Sequence, residues 1–183
     1  VRPFSIGTRN TWADFFPMFD VQFLYGSGWD DAADHNIERV TVLSKETNER
    51  LFGGENSVGR SIRLSGMDFQ VVGVLDDFHP APKFFDVTNG AFNDPEDLYI
   101  PFNVGIEYQM PRAGNTNCWK SIDGDGFEAF LYSECAFIQF WAELRNEEEK
   151  QNYMDFMNAY AEQQKQLGRF PRPLNNRLSN VME

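Results

Sequence analysis

Between Arg39 and Leu75 the chain sets a strand, a capped helix and a hairpin in immediate succession, and this stretch restricts the possible folds more than any other. Val40, Thr41, Val42 and Leu43 form a β-branched, apolar run that predicts a buried strand. Ser44 offers a hydroxyl to the first amides of a helix over 45–52, and Gly53-Gly54 stops it, because glycine enters the left-handed region without a Cβ clash. Two runs, 61–64 and 69–75, then flank the turn-type cluster Ser65-Gly66-Met67-Asp68, which predicts a β-hairpin. A strand–helix unit followed by paired strands reads as α/β (α+β) with a mixed sheet.

Other elements are expected on either side. Thr11 stands ahead of Trp12-Ala13-Asp14-Phe15-Phe16 as a helix cap, with Pro17 keeping that helix short. A strand is predicted over 21–25, ended by Gly26-Ser27-Gly28, and another over 98–102. From Asp76 to Glu134 the periodicity fades, and Gly, Pro, Asn and Asp punctuate aromatic residues, so short strands and turns are expected. Ile138, Phe140, Ala142 and Leu144 alternate with Phe137, Gln139, Trp141 and Glu143, which predicts a strand over 137–144. Asn146 then caps a helix running to about Leu167, whose Tyr153, Met157, Tyr160 and Ala161 should pack on the sheet, and a last helical stretch is expected near 175–182.

Charge and length exclude whole classes of partner. The formal net charge of −12 leaves no basic surface for phosphate backbones, so nucleic acid and anionic lipid are set aside. No run approaches the ~20 apolar residues of a membrane-spanning helix, so the sequence is expected to be soluble as given. Its abrupt start at Val1 reads as a segment cut from a longer protein, with membrane helices among the elements that could flank it.

Chemistry has little to build on. His35 and His79 are the only histidines, and no phosphate loop, dinucleotide fingerprint or serine-hydrolase elbow is present, so no cofactor is expected. Asp30, Asp31, Asp34 and His35 are metal-ligand types but read more simply as a solvated loop. Asp123-Gly124-Asp125-Gly126 with Glu128 lacks the twelve-residue ligand set of a calcium loop. Asp77 could orient the His79 imidazole as an acid/base pair, yet no nucleophile can be named beside it. Cys118 and Cys135 are too few for a zinc site; in an oxidising compartment they close a short loop, and in a reducing one they stay two buried free thiols.

The stretch from Arg39 to Asp77, RVTVLSKETNERLFGGENSVGRSIRLSGMDFQVVGVLDD, resembles the MacB-type periplasmic core domain of ABC transporter permeases. The likeness extends back through 14–19 and 23–29, where Ser27 stands in the place of a common Arg, and forward to Leu98-Tyr99-Ile100-Pro101-Phe102. Its structural motif here is Gly53, Gly54, Val58, Gly59, Phe69, Val71, Val72, Gly73 and Val74.

The resemblance implies a porter-like lobe of strand–helix units, 1–56 with 137–183, and an inserted lobe, 57–136, containing the hairpin. It also implies a periplasmic, extracytoplasmic place and a module without catalytic residues or metal, one that couples cytoplasmic ATP hydrolysis to events outside. The implied partners are the permease's own transmembrane helices, a cytoplasmic ATPase subunit, a periplasmic adaptor or substrate protein, and a second permease in a dimer. Two other readings stay open: a secreted hydrolase or metal-dependent enzyme, and a stand-alone periplasmic ligand-binding protein.

Overall fold

The computed structural model of the chain describes residues 3–114, 116–170 and 173–180. It forms two compact units, the first ending at Arg112 and the second beginning at Ala113.

The first unit is built on a mixed sheet of β1 (Thr8–Thr11), β2 (Phe23–Gly26), β3 (Val40–Leu43), β4 (Ser61–Leu64), β5 (Met67–Leu75) and β6 (Leu98–Pro101), in the order β1-β6-β3-β5-β2 with β4 also on β5. β3 is parallel to β5 and antiparallel to β6, and β1 runs parallel to β6. All four residues of β3 and of β6 are buried, as expected of strands covered on both faces. Gln70 pairs with both Val40 and Ser61, and Gly73 pairs with both Val42 and Gly26. β4 and β2 therefore share the edge of β5 that faces away from β3.

The register of β5 against β3 slips between Thr41 and Val42, leaving Val72 without a partner on β3. That extra residue shifts the side-chain alternation, so Phe69, Val71 and Val74 all join Leu43, Leu98 and Ile100 in one core cluster although their spacing changes from two to three. Each fully buried side chain of this size contributes about 1.5–3 kcal/mol before entropy is counted. An aromatic group fills the unit further: Phe15 packs against Phe16, Phe78, Phe85 and Tyr99 with ring centroids 5.3–6.2 Å apart.

Four helices border this sheet: α1 (Phe15–Met18), α2 (Asp31–His35), α3 (Lys45–Phe52) and α4 (Phe102–Glu107). α3 follows its sequence signals. The Ser44 hydroxyl accepts from the Thr47 amide at 3.1 Å, and Gly53 caps the C-terminus with φ 67°.

The second unit contains β7 (Asn117–Cys118) paired antiparallel with β8 (Cys135–Ala136), α5 (Gly126–Leu131) and α6 (Glu147–Gln166). Cys118 and Cys135 stand opposite each other in register and are joined by a disulfide. α6 begins at Asn146, whose side chain accepts from the Glu149 amide at 2.9 Å, and Gly168 follows it with φ 84°.

Several expectations are corrected. Thr11 does not cap a helix: it ends β1, hydrogen-bonded beside Pro101, and Asp14 takes the cap position of α1. Residues 137–144 are not a strand, because pairing stops at Ala136 and alternation without a partner edge makes no ladder; Ile138 and Phe140 are 57% and 67% exposed. α6, in the second unit, has no fully buried residue, although burial of one face was expected. Residues 173–180 are not helical, and 181–182 lie outside the described residues. The hairpin of β4 and β5 shares a sheet with β3, and the division into compact units falls after Arg112.

Candidate functional site

The segment 29–35 illustrates how a short acidic sequence becomes architecture. Asp30 accepts from the Ala33 amide at 2.9 Å and caps α2, so this segment is a helix rather than a solvated loop. Asp34 is buried and accepts two hydrogen bonds, from the Trp29 indole at 2.9 Å and from the Ala13 amide at 2.7 Å. Burial raises its carboxyl above the ordinary value, against the opposing pull of those two donors. Asp34 thus ties α2 to the entry of α1. No sequence signal separated it from its solvated neighbours.

Phe69, Val71 and Val74 are fully buried, Val72 is the bulged residue, and Val58 is exposed beside Gly26. The Gly59 amide donates to the Val71 carbonyl at 2.8 Å, which closes the approach to β4. Asn48, on α3, donates to the Glu55 carbonyl at 3.0 Å and accepts from the Ser57 hydroxyl at 2.6 Å, so the loop past Gly53-Gly54 is held from within. This buried amide–hydroxyl pair carries no sequence motif.

An open cleft of about 250 Å³ lies among Ser44 and Glu46, the segment of Asp76, Phe78 and His79, and the loop 94–97, with the buried Tyr99 in its wall. Beside it lies a charge cluster. Arg9 holds Glu96 through two bonds, at 3.0 and 2.7 Å, and also pairs with Asp86; Lys83 donates to Glu96 at 2.8 Å. Burial pushes the Glu96 carboxyl up, but the guanidinium and ammonium groups outweigh it and hold the carboxyl below its ordinary value. Two cations and two carboxylates therefore balance inside the fold, joining β1 to the 83–96 loop.

The expected acid/base pair is present but faces another carboxylate. His79 Nδ1 lies 2.6 Å from Asp77, and its Nε2 lies 3.8 Å from Glu46. The Ser44 hydroxyl is committed at the helix start, where it also donates to Thr47 Oγ1 at 3.2 Å. Lys45 pairs with Asp76 at 3.0 Å, a second link between the start of α3 and the end of β5. At the other acidic sequence, Asp125 is the N-cap of α5, and among the described residues no three His, Cys, Asp or Glu side chains converge on a metal position.

The matching family is described as the MacB-like periplasmic core domain, and its model covers residues 3–151. This chain belongs to that family. The MacB-like periplasmic core domain lies on the extracytoplasmic side of the membrane, and among the described residues no helix is long and apolar enough to cross one. Relatives carrying a MacB-like segment are similar at modest identity. The pyoverdine export ATP-binding/permease protein PvdT of Pseudomonas entomophila is 26% identical over 102 residues, 55% of this chain and 14% of that protein. The macrolide export ATP-binding/permease protein MacB of Syntrophobacter fumaroxidans is 26% identical over 115 residues, 63% of this chain and 15% of that protein. The crystal structure of the periplasmic region of MacB from Actinobacillus actinomycetemcomitans matches with a TM-score of 0.43 and 17% identity, over 58% of this chain and 42% of that one. The chain thus spans only a small part of the length of these export proteins.

Proposed function

We propose that this domain is the extracytoplasmic coupling module of an ABC transporter permease, without catalytic residues of its own. Membrane helices of the same permease, moved by a cytoplasmic ATPase subunit, shift it as a body, and it then acts on a substrate or on an adaptor protein outside the membrane. The supporting observation is β5, whose nine residues are bonded to β3 on one edge and to β4 and β2 on the other. Such a sheet resists internal shear, as a transmitting body must. A second copy of the permease is part of this reading.

The test is a distance measurement by double electron–electron resonance in the full-length transporter with its ATPase. Spin labels at Asp31 and Arg63, both exposed in the first unit, should keep one separation through the ATP cycle. A label at Arg63 should move relative to one on a flanking membrane helix. A change in the Asp31–Arg63 separation, or no ATP-dependent movement of Arg63, would overturn the proposal.

A further inference from the structure

The disulfide between Cys118 and Cys135 closes a ribbon that has little else to hold it. β7 and β8 are two residues each, with Asn117, Cys118 and Ala136 exposed and Cys135 half-buried. A two-stranded pair of this length is marginal in water without a cross-link. One further backbone bond extends it outward, from the Trp119 amide to the Glu134 carbonyl at 3.0 Å.

The residues just beyond the disulfide grip the end of α6. Lys120 donates to the Glu134 carboxylate at 3.0 Å and to the Gly168 carbonyl at 3.3 Å. The same carboxylate accepts from the Phe170 amide at 3.4 Å, and the Trp119 ring meets the Phe170 ring edge-on with centroids 6.2 Å apart. The Lys120 ammonium, helped by the Phe170 amide, holds the Glu134 carboxyl below its ordinary value, while partial removal from water opposes the shift. Trp119 and Lys120 follow β7 and Glu134 precedes β8, so the ribbon must be closed for all three to face one turn. That turn is strained: Gly168 and Phe170 have φ 84° and 48°, and an aromatic residue stays in the left-handed region only where its surroundings hold it there. α6 has no fully buried residue of its own to fix its last turn.

We infer that Cys118–Cys135 is a redox-controlled clip, opened by a dithiol through thiol–disulfide exchange, that sets whether residues 168–170 are held against Trp119, Lys120 and Glu134 or released. A thiolate of the dithiol attacks the exposed Cys118 sulfur, the Sγ–Sγ bond breaks, and Cys135 leaves as a thiolate that takes a proton from water. The second thiolate of the reductant then displaces Cys118 from the mixed disulfide. The dithiol ends as a disulfide, and the cystine has gained two electrons and two protons as two thiols. The extracytoplasmic side, where disulfides form and persist, gives this exchange its setting. A small dithiol and a protein carrying a Cys-x-x-Cys pair share this chemistry. The clip does not rest on the coupling role proposed above.

The experiment compares the oxidised 183-residue chain with the same chain equilibrated with dithiothreitol, by ¹⁵N relaxation at neutral pH. On reduction the heteronuclear NOE of Gly168, Arg169 and Phe170 should fall to the values of a mobile terminus and the Trp119 indole resonance should move, while 147–163 and the first unit keep their values. Glu134→Gln and Lys120→Met, with the disulfide intact, should loosen the same three residues. By linkage, each should also shift the equilibrium with dithiothreitol several-fold towards the reduced chain. Faster reduction by reduced thioredoxin than by dithiothreitol at equal thiol concentration would assign the reductant to a protein, and equal or slower reduction to a small dithiol. Changes confined to 117–119 and 134–136 would make the disulfide a local staple and overturn the inference, as would loss of the whole second unit on reduction. An unchanged reduction equilibrium in both variants would overturn it independently, since those chains keep their cross-link.

Discussion

Gly73 lies so close to the backbone of Ser27 that a Cβ at position 73 would collide with the Ser27 carbonyl oxygen and stand 2.9 Å from the Phe23 ring. The contact joins β5 to the turn that follows β2. Gly73→Ala should destabilise the first unit by about 1–3 kcal/mol, because neither a backbone carbonyl nor a packed ring can retreat cheaply. Chemical denaturation against the parent chain measures it, and an unchanged midpoint would show that the β2 turn gives way freely.

Asp34→Ala removes the acceptor for both the Trp29 indole and the Ala13 amide. The expected loss is about 3 kcal/mol at neutral pH, since two donors are stranded in or near the interior. The pH dependence follows from the direction of the shift. Burial raises the Asp34 carboxyl above 3.8 in the folded chain, so the native state holds the proton more tightly than the unfolded one. The advantage of the parent over the variant should be greatest below that pH and shrink as pH rises through the folded value. Urea midpoints of both proteins across the acid range provide the check.

Glu96→Gln should show the opposite slope. The folded carboxyl is held below its ordinary 4.5, where burial opposes the shift and Arg9 and Lys83 drive it. The stability it contributes is fully present above 4.5 and is lost as pH falls through the folded value. At neutral pH the variant should lose about 3 kcal/mol, because Lys83 would be left buried without its counter-charge. The same denaturation series reads both variants.

Replacing Cys118 and Cys135 together by Ser should destabilise the second unit by about 3 kcal/mol, the order expected for opening a loop with its ends 17 residues apart. The first unit, which contains neither cysteine, should keep its stability. Hydrogen exchange resolved by residue distinguishes the two. Protection lost equally in both units would mean that they unfold as one.

The contrast between what the sequence discloses and what it hides follows the range of the interactions. α3 and the β4–β5 hairpin are legible because their signals act over a few residues: a hydroxyl before a helix, paired glycines after it, and a turn cluster between apolar runs. β6 was foreseen as a strand, but its insertion between β1 and β3 rests on partners about 90 and 57 residues away, which periodicity cannot reveal. The 137–144 segment shows the converse, since alternation supplies a strand pattern and only a neighbouring edge supplies a ladder. For the candidate cleft, Asp77 and His79 were visible as a local pair. Glu46, Asp94 and Tyr99 were not, because their proximity is made by three separate loops and strand ends.

The bulge at Val72 has a mechanical meaning. The register on the β3 side slips within the span over which the opposite edge changes from β4 to β2, and Val72, skipped by β3, still accepts the Ser27 amide at 3.3 Å on the β2 side. A load applied at β4 therefore reaches β2 both along β5 and through its parallel neighbour β3, so the step at Val72 lies inside a ribbon that is held from either side.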